Sequence, residues 1–337
     1  MNERLFEQMQ DSVVSTRIRL ARNIHGLPFP QKMTGADATV ALNSVYKALG
    51  GRYELITVND TPQVVLGALV ERHLISKELL SSPNGAVLLG NDDTVSVMLC
   101  EEDHIRLQVI LPGFALENAY AVADGVDEII GMKVKYAYSS ALGHLTACPT
   151  NVGTGMRASV MLFLPALTLT KTLTRQVNSL VNYHITLRGV YGEGSDALGY
   201  FYQVSNAQTL GLSEEETVQN VKKATSILLY AEQNAREIMY EKNEIKIKDE
   251  VSRAYGILRS AYTLSADEYL QRSAFVKLGA YYGLLPVTDV PAIDEMITAM
   301  QHYNLISSAD LPLETDIARD IYRAKQARKF FGDLTKL

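Results

Sequence analysis

Cysteine is scarce in this chain, whose 337 residues include only Cys100 and Cys148. Two thiols make neither a disulfide framework nor a cysteine-based zinc cluster. Residues 1–12 are polar and acidic rather than apolar, so we expect no secretory signal there. The sequence therefore predicts a reduced protein located in the cytoplasm.

Long apolar runs are also missing. The best one, residues 160–169, contains Pro165 and ends in a threonine-rich stretch, so it is too short to span a bilayer. Positive charge is not in excess either, because the formal net charge is -6. That balance disfavours binding to nucleic acid through phosphate neutralisation. We expect neither a membrane nor a nucleic acid as a direct partner.

The familiar phosphate-binding loops are absent from the sequence. It has no G-x-x-x-x-G-K-[ST] loop, no G-x-G-x-x-G after a strand, and neither the H-R-D nor the D-F-G motif of protein kinases. If the chain handles nucleoside triphosphates, arginine side chains are the obvious substitute. The planar guanidinium binds phosphate oxygens bidentately and keeps its charge.

The length and the 47% of hydrophobic residues predict two domains. Residues 13–21 and 94–110 alternate like strands. Ser213 and Glu216 then have the form of a capping box that opens a long amphipathic helix. Its apolar positions recur at helical spacing: Val218, Val221, Ala224, Leu228, Ala231, Ala235 and Ile238. We predict an α+β domain over residues 1–240 and a small all-helical domain over residues 241–337.

The helical part carries recognisable start and stop signals. Ser265 and Glu268 predict a second capping box, for a helix that ends near Gly283. Pro291 suits the first turn of another helix. A last helix over residues 315–331 is predicted to turn four side chains inward: Ile317, Ile321, Ala324 and Phe331.

Two predicted strands carry charged side chains on one face. Alternation places Ser15, Arg17 and Arg19 together on the first. On the second it places a carboxylate and a guanidinium on one wet surface, with these members: Glu102, His104, Arg106 and Gln108. Taken alone, either stretch also fits an ordinary solvated sheet face.

Two glycine-rich segments add further polar groups. Residues 146–159 join Cys148, a glycine-rich turn and Arg157. Residues 188–195 form a glycine-rich loop with Arg188 and Glu193, flexible enough to close over a ligand.

The order of these segments is recognisable. S-T-R-I-R-L-A-R-N, E-E-D-H-x-R, C-P-T-N-x-G-T-G-x-R-A-S and R-G-x-Y-G-E-G-S together resemble the phosphagen (ATP:guanido) kinase superfamily. The resemblance covers most of residues 13–211. It implies an antiparallel sheet flanked by helices, ATP as phosphoryl donor, and magnesium held mostly by the nucleotide rather than by protein side chains. It also implies these ATP-binding residues: Ser15, Thr16, Arg17, Ile18, Arg19, His73, Arg106, Arg157, Ala158, Ser159, Val160, Met161, Arg188, Gly189, Val190, Tyr191, Gly192 and Glu193.

The same resemblance assigns the reacting groups. Glu102 and Glu193 are implied to hold the acceptor guanidinium, with Cys148 beside it as a thiolate. A free guanidinium has a pKa of roughly 12.5–13.8, so one carboxylate must accept its proton during transfer. One position departs from the family, which has asparagine where this chain has Cys100. By alternation Cys100 shares a face with Glu102, and we expect it to alter hydrogen bonding or redox sensitivity without removing activity.

Two further features bear on the acceptor. Small-molecule members of the superfamily carry a helical domain ahead of the S-T-R-x-R strand, whereas here Ser15 already lies in that strand. Without such a lid we expect an open site, wide enough for an arginine on a polypeptide. At the other end, Arg319, Asp320, Arg323 and Ala324 match the R-D-x-x-R-A motif of bacterial protein-arginine kinases. The match implies an allosteric phosphoarginine site; the alternative is a salt-bridged helix surface.

Three hypotheses follow from the sequence. The first is an ATP-dependent kinase of arginine side chains in proteins, and the second a kinase of a free guanidino metabolite. The third is an inactive phosphoarginine-binding adaptor. For the first, the resemblance implies a role in the stress response, with these partners: protein substrates bearing exposed arginines, a heat-shock repressor, an activator protein, a Clp unfoldase, and a second copy of the chain in a homodimer or larger assembly.

Overall fold

The computed structural model of the protein describes residues 11–191, 197–287 and 289–333. These residues build an eight-stranded antiparallel sheet and a separate two-stranded ribbon. In chain order the strands are β1 (Val13–Arg22), β2 (Glu54–Thr57), β3 (Ala86–Leu89), β4 (Val95–Leu99), β5 (Ile105–Pro112), β6 (Tyr138–Ser139), β7 (Gly143–His144), β8 (Met156–Phe163), β9 (Ile185–Gly189) and β10 (Phe201–Asn206). The order across the sheet is β2-β3-β4-β5-β1-β8-β10-β9, and β6 pairs with β7.

Helices flank the sheet and then form the C-terminal part. Those of the first part are α1 (Gly35–Leu49), α2 (Gln63–Glu71), α3 (Leu116–Gly131), α4 (Pro165–Leu169) and α5 (Leu173–Asn178). They are followed by α6 (Glu214–Ser260), α7 (Ala266–Tyr281), α8 (Val290–Ala299), α9 (His302–Ser308) and α10 (Asp316–Asp333). The predicted antiparallel sheet with flanking helices, followed by a helical region, is confirmed.

The two faces of the sheet differ in character. One face is mainly apolar and packs against α1, α3 and the first half of α6, with these side chains buried in the core: Ile18, Leu20, Leu107, Val109, Ala158, Val160 and Val204. The alternation predicted for β1 produces this face, because successive side chains of a strand point to opposite sides. The other face carries polar and charged groups, and the candidate site lies there.

The long helix α6 begins as predicted. Ser213 Oγ accepts a hydrogen bond from the Glu216 N–H at 3.1 Å, and Glu216 Oε2 accepts one from the Ser213 N–H at 2.8 Å. The predicted apolar stripe is buried up to Leu228, whereas Ile238 is 50% exposed. The predicted domain boundary at residue 240 lies inside α6, just before Asn243, where φ is -135° and ψ 27°. That boundary stays a prediction.

The second half of α6 packs with α7–α10 around a second core. Its helix signals are mostly as predicted: α7 ends ahead of Gly283, which has a φ of 65°, and Pro291 lies in the first turn of α8. The capping box at Ser265 forms only in part. Ser265 Oγ accepts a hydrogen bond from the Glu268 N–H at 3.2 Å, but the Glu268 side chain pairs with Arg272 instead.

One prediction for the last helix is wrong. Ala324 and Phe331 are buried as predicted, but Ile317 is 58% exposed and Ile321 is 36% exposed. The inner face of α10 instead holds Arg323, which is only 3% exposed. Its guanidinium turns inward because backbone carbonyl groups are available there as hydrogen-bond acceptors.

Candidate active site

Five arginines share the polar face of the sheet. In the register of the strands, Arg19 lies opposite Arg157 on one side and Gln108 on the other. Directly opposed residues point to the same side, and the pairings continue across β5, β8, β10 and β9. They bring together Arg17, Arg19, Arg106, Arg157 and Arg188. A single surface therefore carries a dense positive charge.

The positive charges are only partly neutralised. Burial lowers the pKa of Arg17 to about 10, with further contributions from Arg106 and Arg157. Burial also lowers the pKa of Arg19 and of Arg157. The Nε atoms of these three side chains are buried without a hydrogen-bond partner. Among the described residues, only Arg106 of the five forms an ion pair, with Glu101 at 2.5 Å.

Buried donors without partners are rare in proteins and call for an explanation. A polyanion lying along this face would supply oxygens to the unpartnered guanidinium N–H groups and offset the repulsion among them. The surface therefore fits the triphosphate of a nucleotide.

A cavity of about 530 Å³ opens at the end of this face where β1 begins. Ser15, Arg17 and His73 line it, together with apolar and aromatic side chains such as Met161 and Phe201. Its size and mainly apolar lining are typical of a small-molecule pocket with a few polar groups that fix orientation.

His73 is held at the cavity by Gln108. The Gln108 Nε2 donates to the His73 carbonyl oxygen at 2.8 Å and to Ser96 Oγ at 3.1 Å. Burial, and then the charge of Arg17, lowers the pKa of His73 to about 4, so the ring is neutral at physiological pH. The predicted exposure of Gln108 on a wet surface is wrong, because the loop after α2 covers its side chain, which is 2% exposed.

At the opposite end of the arginine surface, Glu102 lies beside Cys148. The Glu102 carboxylate and the Cys148 thiol share a hydrogen bond, and both residues are half-buried. Burial, and then the neighbouring charge of Asp103, raises the pKa of Glu102, while Arg106 opposes the shift. A carboxylate and a thiol thus adjoin the phosphate-binding surface.

The backbone around Glu102 differs from the prediction. Strand β5 begins only at Ile105, and the preceding residues form a turn in which Cys100 has a φ of 57°. A left-handed residue ends the alternation, so Cys100 and Glu102 do not share a strand face. His104 was predicted on the wet surface but is fully buried, with Nδ1 accepting from the Ile24 N–H and Nε2 donating to the Pro28 carbonyl oxygen.

Two residues that sequence reasoning missed hold this turn in place. Asp103 Oδ1 accepts hydrogen bonds from Asn23 Nδ2 at 2.6 Å and from the Ala147 N–H at 2.7 Å. Asn23 Oδ1 in turn accepts from the His104 N–H at 2.9 Å. Asp103 therefore joins the Glu102 turn to the Cys148 loop. Both residues belong to the recognisable motifs, but strand alternation gave them no role.

The glycine-rich turn after Cys148 approaches neighbouring backbone closely. A Cβ atom on Gly153 would lie 2.2 Å from the Thr209 carbonyl oxygen, and the φ of Gly153 is +115°. Only glycine fits such a position. This turn leads directly into β8, where Arg157 donates from Nη2 to Ser205 Oγ at 2.8 Å.

The residues predicted to bind ATP do not all lie on the arginine face of the sheet. Ser15, Ser159 and Met161 line the cavity, as does Tyr191. Gly189 and Val190 lie where β9 ends beside β10. The side chains of four others point into the core on the opposite face: Thr16, Ile18, Ala158 and Val160. Those four cannot offer side chains to a ligand on the arginine face, since the period-two pleat turns them away. Gly192 and Glu193 lie outside the described residues.

The chain matches two protein families along most of its length. Residues 38–235 match the ATP:guanido phosphotransferase C-terminal catalytic domain, and residues 244–337 match the protein-arginine kinase McsB C-terminal domain. The chain belongs to the ATP:guanido phosphotransferase family.

Relatives of this guanido phosphotransferase include proteins named protein-arginine kinase. The one from Caldanaerobacter subterraneus is 41% identical over 331 residues, which cover 95% of this chain and 98% of the relative. The one from Bacillus subtilis is 39% identical over 321 residues, covering 92% and 88%. Among solved structures, lombricine kinase is similar with a TM-score of 0.60 and 26% identity, over 66% of this chain and 67% of its own. A duplicated taurocyamine kinase from Schistosoma mansoni, with bound transition state analog components, has a TM-score of 0.58 and 27% identity over 66% and 32%.

Cys100, the position at which the resemblance implied asparagine, is buried. Its side chain is 2% exposed, and burial raises the pKa of its thiol to about 11. Its backbone carbonyl accepts a hydrogen bond from Ser82 Oγ. A buried, protonated thiol reacts slowly, which argues against the predicted redox sensitivity.

The C-terminal motif of this guanido phosphotransferase is engaged within its own domain. Arg323 donates from Nε to the Met300 carbonyl oxygen at 2.9 Å and from Nη1 to the Leu264 carbonyl oxygen at 2.7 Å. Asp320 pairs with Arg323 at 2.6 Å, and Arg319 donates to the Leu313 carbonyl oxygen at 2.8 Å. Ala324 is buried beside them. The predicted phosphoarginine site thus involves side chains that already hold α10 to its neighbours.

Within residues 11–191, 197–287 and 289–333, no three His, Cys, Asp or Glu side chains come together as a potential metal site. None of the helices in these ranges combines the length and the hydropathy needed to cross a membrane.

Proposed function

We propose that this chain is an ATP-dependent protein-arginine kinase, which transfers the γ-phosphoryl group of ATP to a guanidino nitrogen of an arginine side chain in a protein. The observation that carries the proposal is the continuous arginine surface that leads from the cavity to Glu102 and Cys148. The relatives named protein-arginine kinase support the choice of acceptor.

The arrangement suits direct in-line transfer. The guanidino nitrogen attacks the γ-phosphorus, the N–P bond forms, and the bond from phosphorus to the bridging oxygen of ADP breaks. Arg17, Arg19 and Arg157 stabilise charge on the phosphoryl oxygens, because their guanidinium groups are already held on one face of the sheet. Glu102 accepts the proton that leaves the attacking nitrogen, while Cys148 beside it orients the guanidinium.

Magnesium is part of the proposal as a companion of the nucleotide. A cationic surface of arginines does not suit direct binding of a metal cation, whereas the triphosphate oxygens do. Bound with the nucleotide, magnesium would supply positive charge that offsets the charge developing on the phosphoryl group. The protein's own contribution is to hold the phosphates and the acceptor in line.

The acceptor class is tested by comparing substrates under conditions that preserve the acid-labile N–P bond. Purified protein, MgATP and an arginine-rich unstructured protein should yield phosphoarginine, detected by mass spectrometry at neutral pH. Free arginine and creatine serve as competing acceptors. Preferential phosphorylation of a free guanidino compound would favour the metabolite kinase, and no transfer to any acceptor would favour the adaptor.

The C-terminal motif supports a regulatory proposal. Phosphoarginine bound by Arg319, Asp320 and Arg323 would act on the helix α8, because Arg323 holds Met300 directly after that helix. Titration of free phosphoarginine should activate the wild type at low concentration, and Asp320→Asn should reduce this response. Equal activation curves for the wild type and Asp320→Asn would show that the motif is only a structural ion pair. The repressor target, the Clp unfoldase, the activator, the stress-response role and the homodimer stay predictions from the resemblance, and the cytoplasmic location stays a prediction from the sequence.

A further inference from the structure

The two ends of the polar face of the sheet differ, and this difference determines which way a bound nucleotide lies. Along β1, the cavity lies at the Val13 end, Arg17 and Arg19 lie in the middle, and Asn23 follows the strand at the Glu102–Cys148 end. The γ-phosphate must reach Glu102 for transfer, and the phosphates require the arginines. The uncharged nucleoside must therefore extend from Arg17 into the cavity.

The outer side of that cavity does not belong to the sheet. It is formed by residues of α8, including Val290, Asp294 and Thr298, which face Ser15 and Met161 across the opening. Ile297 also borders the cavity and is 2% exposed, so this side of the wall is anchored in the C-terminal core.

The position of α8 is fixed by a buried ion pair. Lys277 of α7 donates from Nζ to both carboxylate oxygens of Asp294, at 2.7 and 2.6 Å. The Lys277 side chain is 2% exposed, and its ammonium group lies 5.0 Å from the centre of the Phe163 ring and 5.5 Å from that of Phe201. Those rings belong to β8 and β10. The ion pair thus ties α8 to the sheet that carries the arginines.

The same C-terminal helices also hold the side of the cavity that contains His73. The Glu71 carboxylate at the end of α2 accepts hydrogen bonds from the backbone N–H groups of Tyr303 and Asn304, at 2.9 and 2.8 Å. Gly67 of α2 packs so closely on the Tyr303 ring that a Cβ would lie 2.3 Å from it. His73 follows directly after this helix.

We propose that α8 is a wall of the nucleoside pocket, so that the base and ribose of ATP bind between the sheet and Val290, Asp294 and Thr298. The inference rests on the proposed function, since it takes the arginine surface as the phosphate site. Apolar contact with Val290 and the methyl group of Thr298 holds the base, as in other largely apolar ligand pockets. Nucleotide affinity then depends on residues of the helical region as well as on those of the sheet.

The test uses two ligands that share phosphates but differ in the nucleoside. Calorimetry of the full chain with ADP and with inorganic pyrophosphate, both with magnesium, separates the two ends of the site. Thr298→Trp places an indole in the cavity and should weaken ADP binding at least about tenfold, because the added volume occupies the space of the base. Pyrophosphate affinity should change by less than about twofold, since of the five arginines on the polar face only Arg17 lines the cavity.

Ala292→Trp is the matched control, because Ala292 belongs to the same helix and does not line the cavity. It should leave both affinities unchanged. Val290→Trp provides a second filled pocket in case Thr298→Trp does not fold, as judged by its thermal midpoint. The inference is overturned if the pocket variants bind ADP like the control, or if ADP and pyrophosphate weaken equally. A wild type that binds neither ligand would instead overturn the proposed function itself.

Discussion

At the scale of single residues, the site combines a carboxylate whose pKa is raised with arginines whose pKa values are lowered. Burial is the main cause of both pKa shifts. Perturbed pKa values of this kind are typical of catalytic sites. Glu102 becomes a stronger base than an exposed glutamate, because its pKa is raised. Arg17 keeps its charge but loses the water that would otherwise accept hydrogen bonds from its guanidinium group.

Glu102→Gln should reduce turnover by about 10²–10⁴-fold, because the amide keeps the shape of the side chain but cannot accept a proton. The affinity for ADP should stay within a few-fold of wild type, since Glu102 does not line the cavity. Radiolabelled phosphate transfer and calorimetry measure the two quantities. Near-normal turnover would assign the proton acceptor to another group.

The pH dependence should reveal the coupling between Glu102 and Cys148. The pKa of Glu102 is raised above its ordinary value of 4.5, and the hydrogen bond from Cys148 works against that shift. Activity requires the ionised carboxylate, so it should fall as the pH decreases through this raised pKa. Cys148→Ala removes the opposing hydrogen bond and should move the acid limb of the kcat profile to still higher pH. An acid limb at the same pH in both proteins would contradict the contact.

At the scale of elements, the site depends on loops tied to one another rather than on the sheet alone. The turn with Glu102 and the loop with Cys148 come from distant parts of the sequence, and the buried Asp103 links them. Without this link, the carboxylate and the thiol would have independent positions.

Asp103→Ala should therefore lower turnover much more than it lowers ADP affinity. It leaves two buried donors, Asn23 Nδ2 and the Ala147 N–H, without an acceptor, at about 1–3 kcal/mol each. Asp103→Asn retains an oxygen for both bonds and should recover part of the activity, which a purely charge-based role would not allow. Comparison of kcat and ADP affinity among the three proteins decides the point.

The sequence predicted the elements whose signals are local. The alternation from Ser15 to Leu20 predicted a strand with one face toward the core and the other face polar. In the structure Ile18 and Leu20 are buried in the core, and Arg17 and Arg19 lie on the polar face. The turn at Cys100 was not predictable, since a non-glycine residue with positive φ leaves no pattern in the residue types. The inward orientation of the Arg323 side chain was not predictable from the sequence either, because its hydrogen-bond acceptors are backbone carbonyl groups of distant residues.

At the scale of the whole molecule, α6 runs through both halves. The C-terminal helices contact the sheet through Lys277 and helix α2 through Tyr303. Arg323 is central to their packing, since its buried guanidinium makes hydrogen bonds to Met300, Leu264 and Asp320.

Arg323→Ala should lower the free energy of unfolding by about 3–6 kcal/mol, because it removes two hydrogen bonds from a buried charged group to the Met300 and Leu264 carbonyl oxygens, each worth about 1.5–3 kcal/mol. Arg253→Ala is the matched control in the same region, because its ion pair with Asp249 is exposed and such pairs contribute little to stability. Thermal and urea unfolding of both variants measures the difference. Equal stability of the two would show that the inward position of Arg323 is not structural.

The unpartnered arginine Nε atoms carry one more consequence. The guanidinium groups of these arginines repel one another, and bound phosphates would compensate their charge. Nucleotide binding and folding are therefore linked. A ligand present at 100 times its dissociation constant stabilises a native state by about 2.7 kcal/mol. When the total nucleotide concentration falls, the protein should lose part of that contribution and unfold more readily. Its lifetime against proteases would then depend on the nucleotide supply.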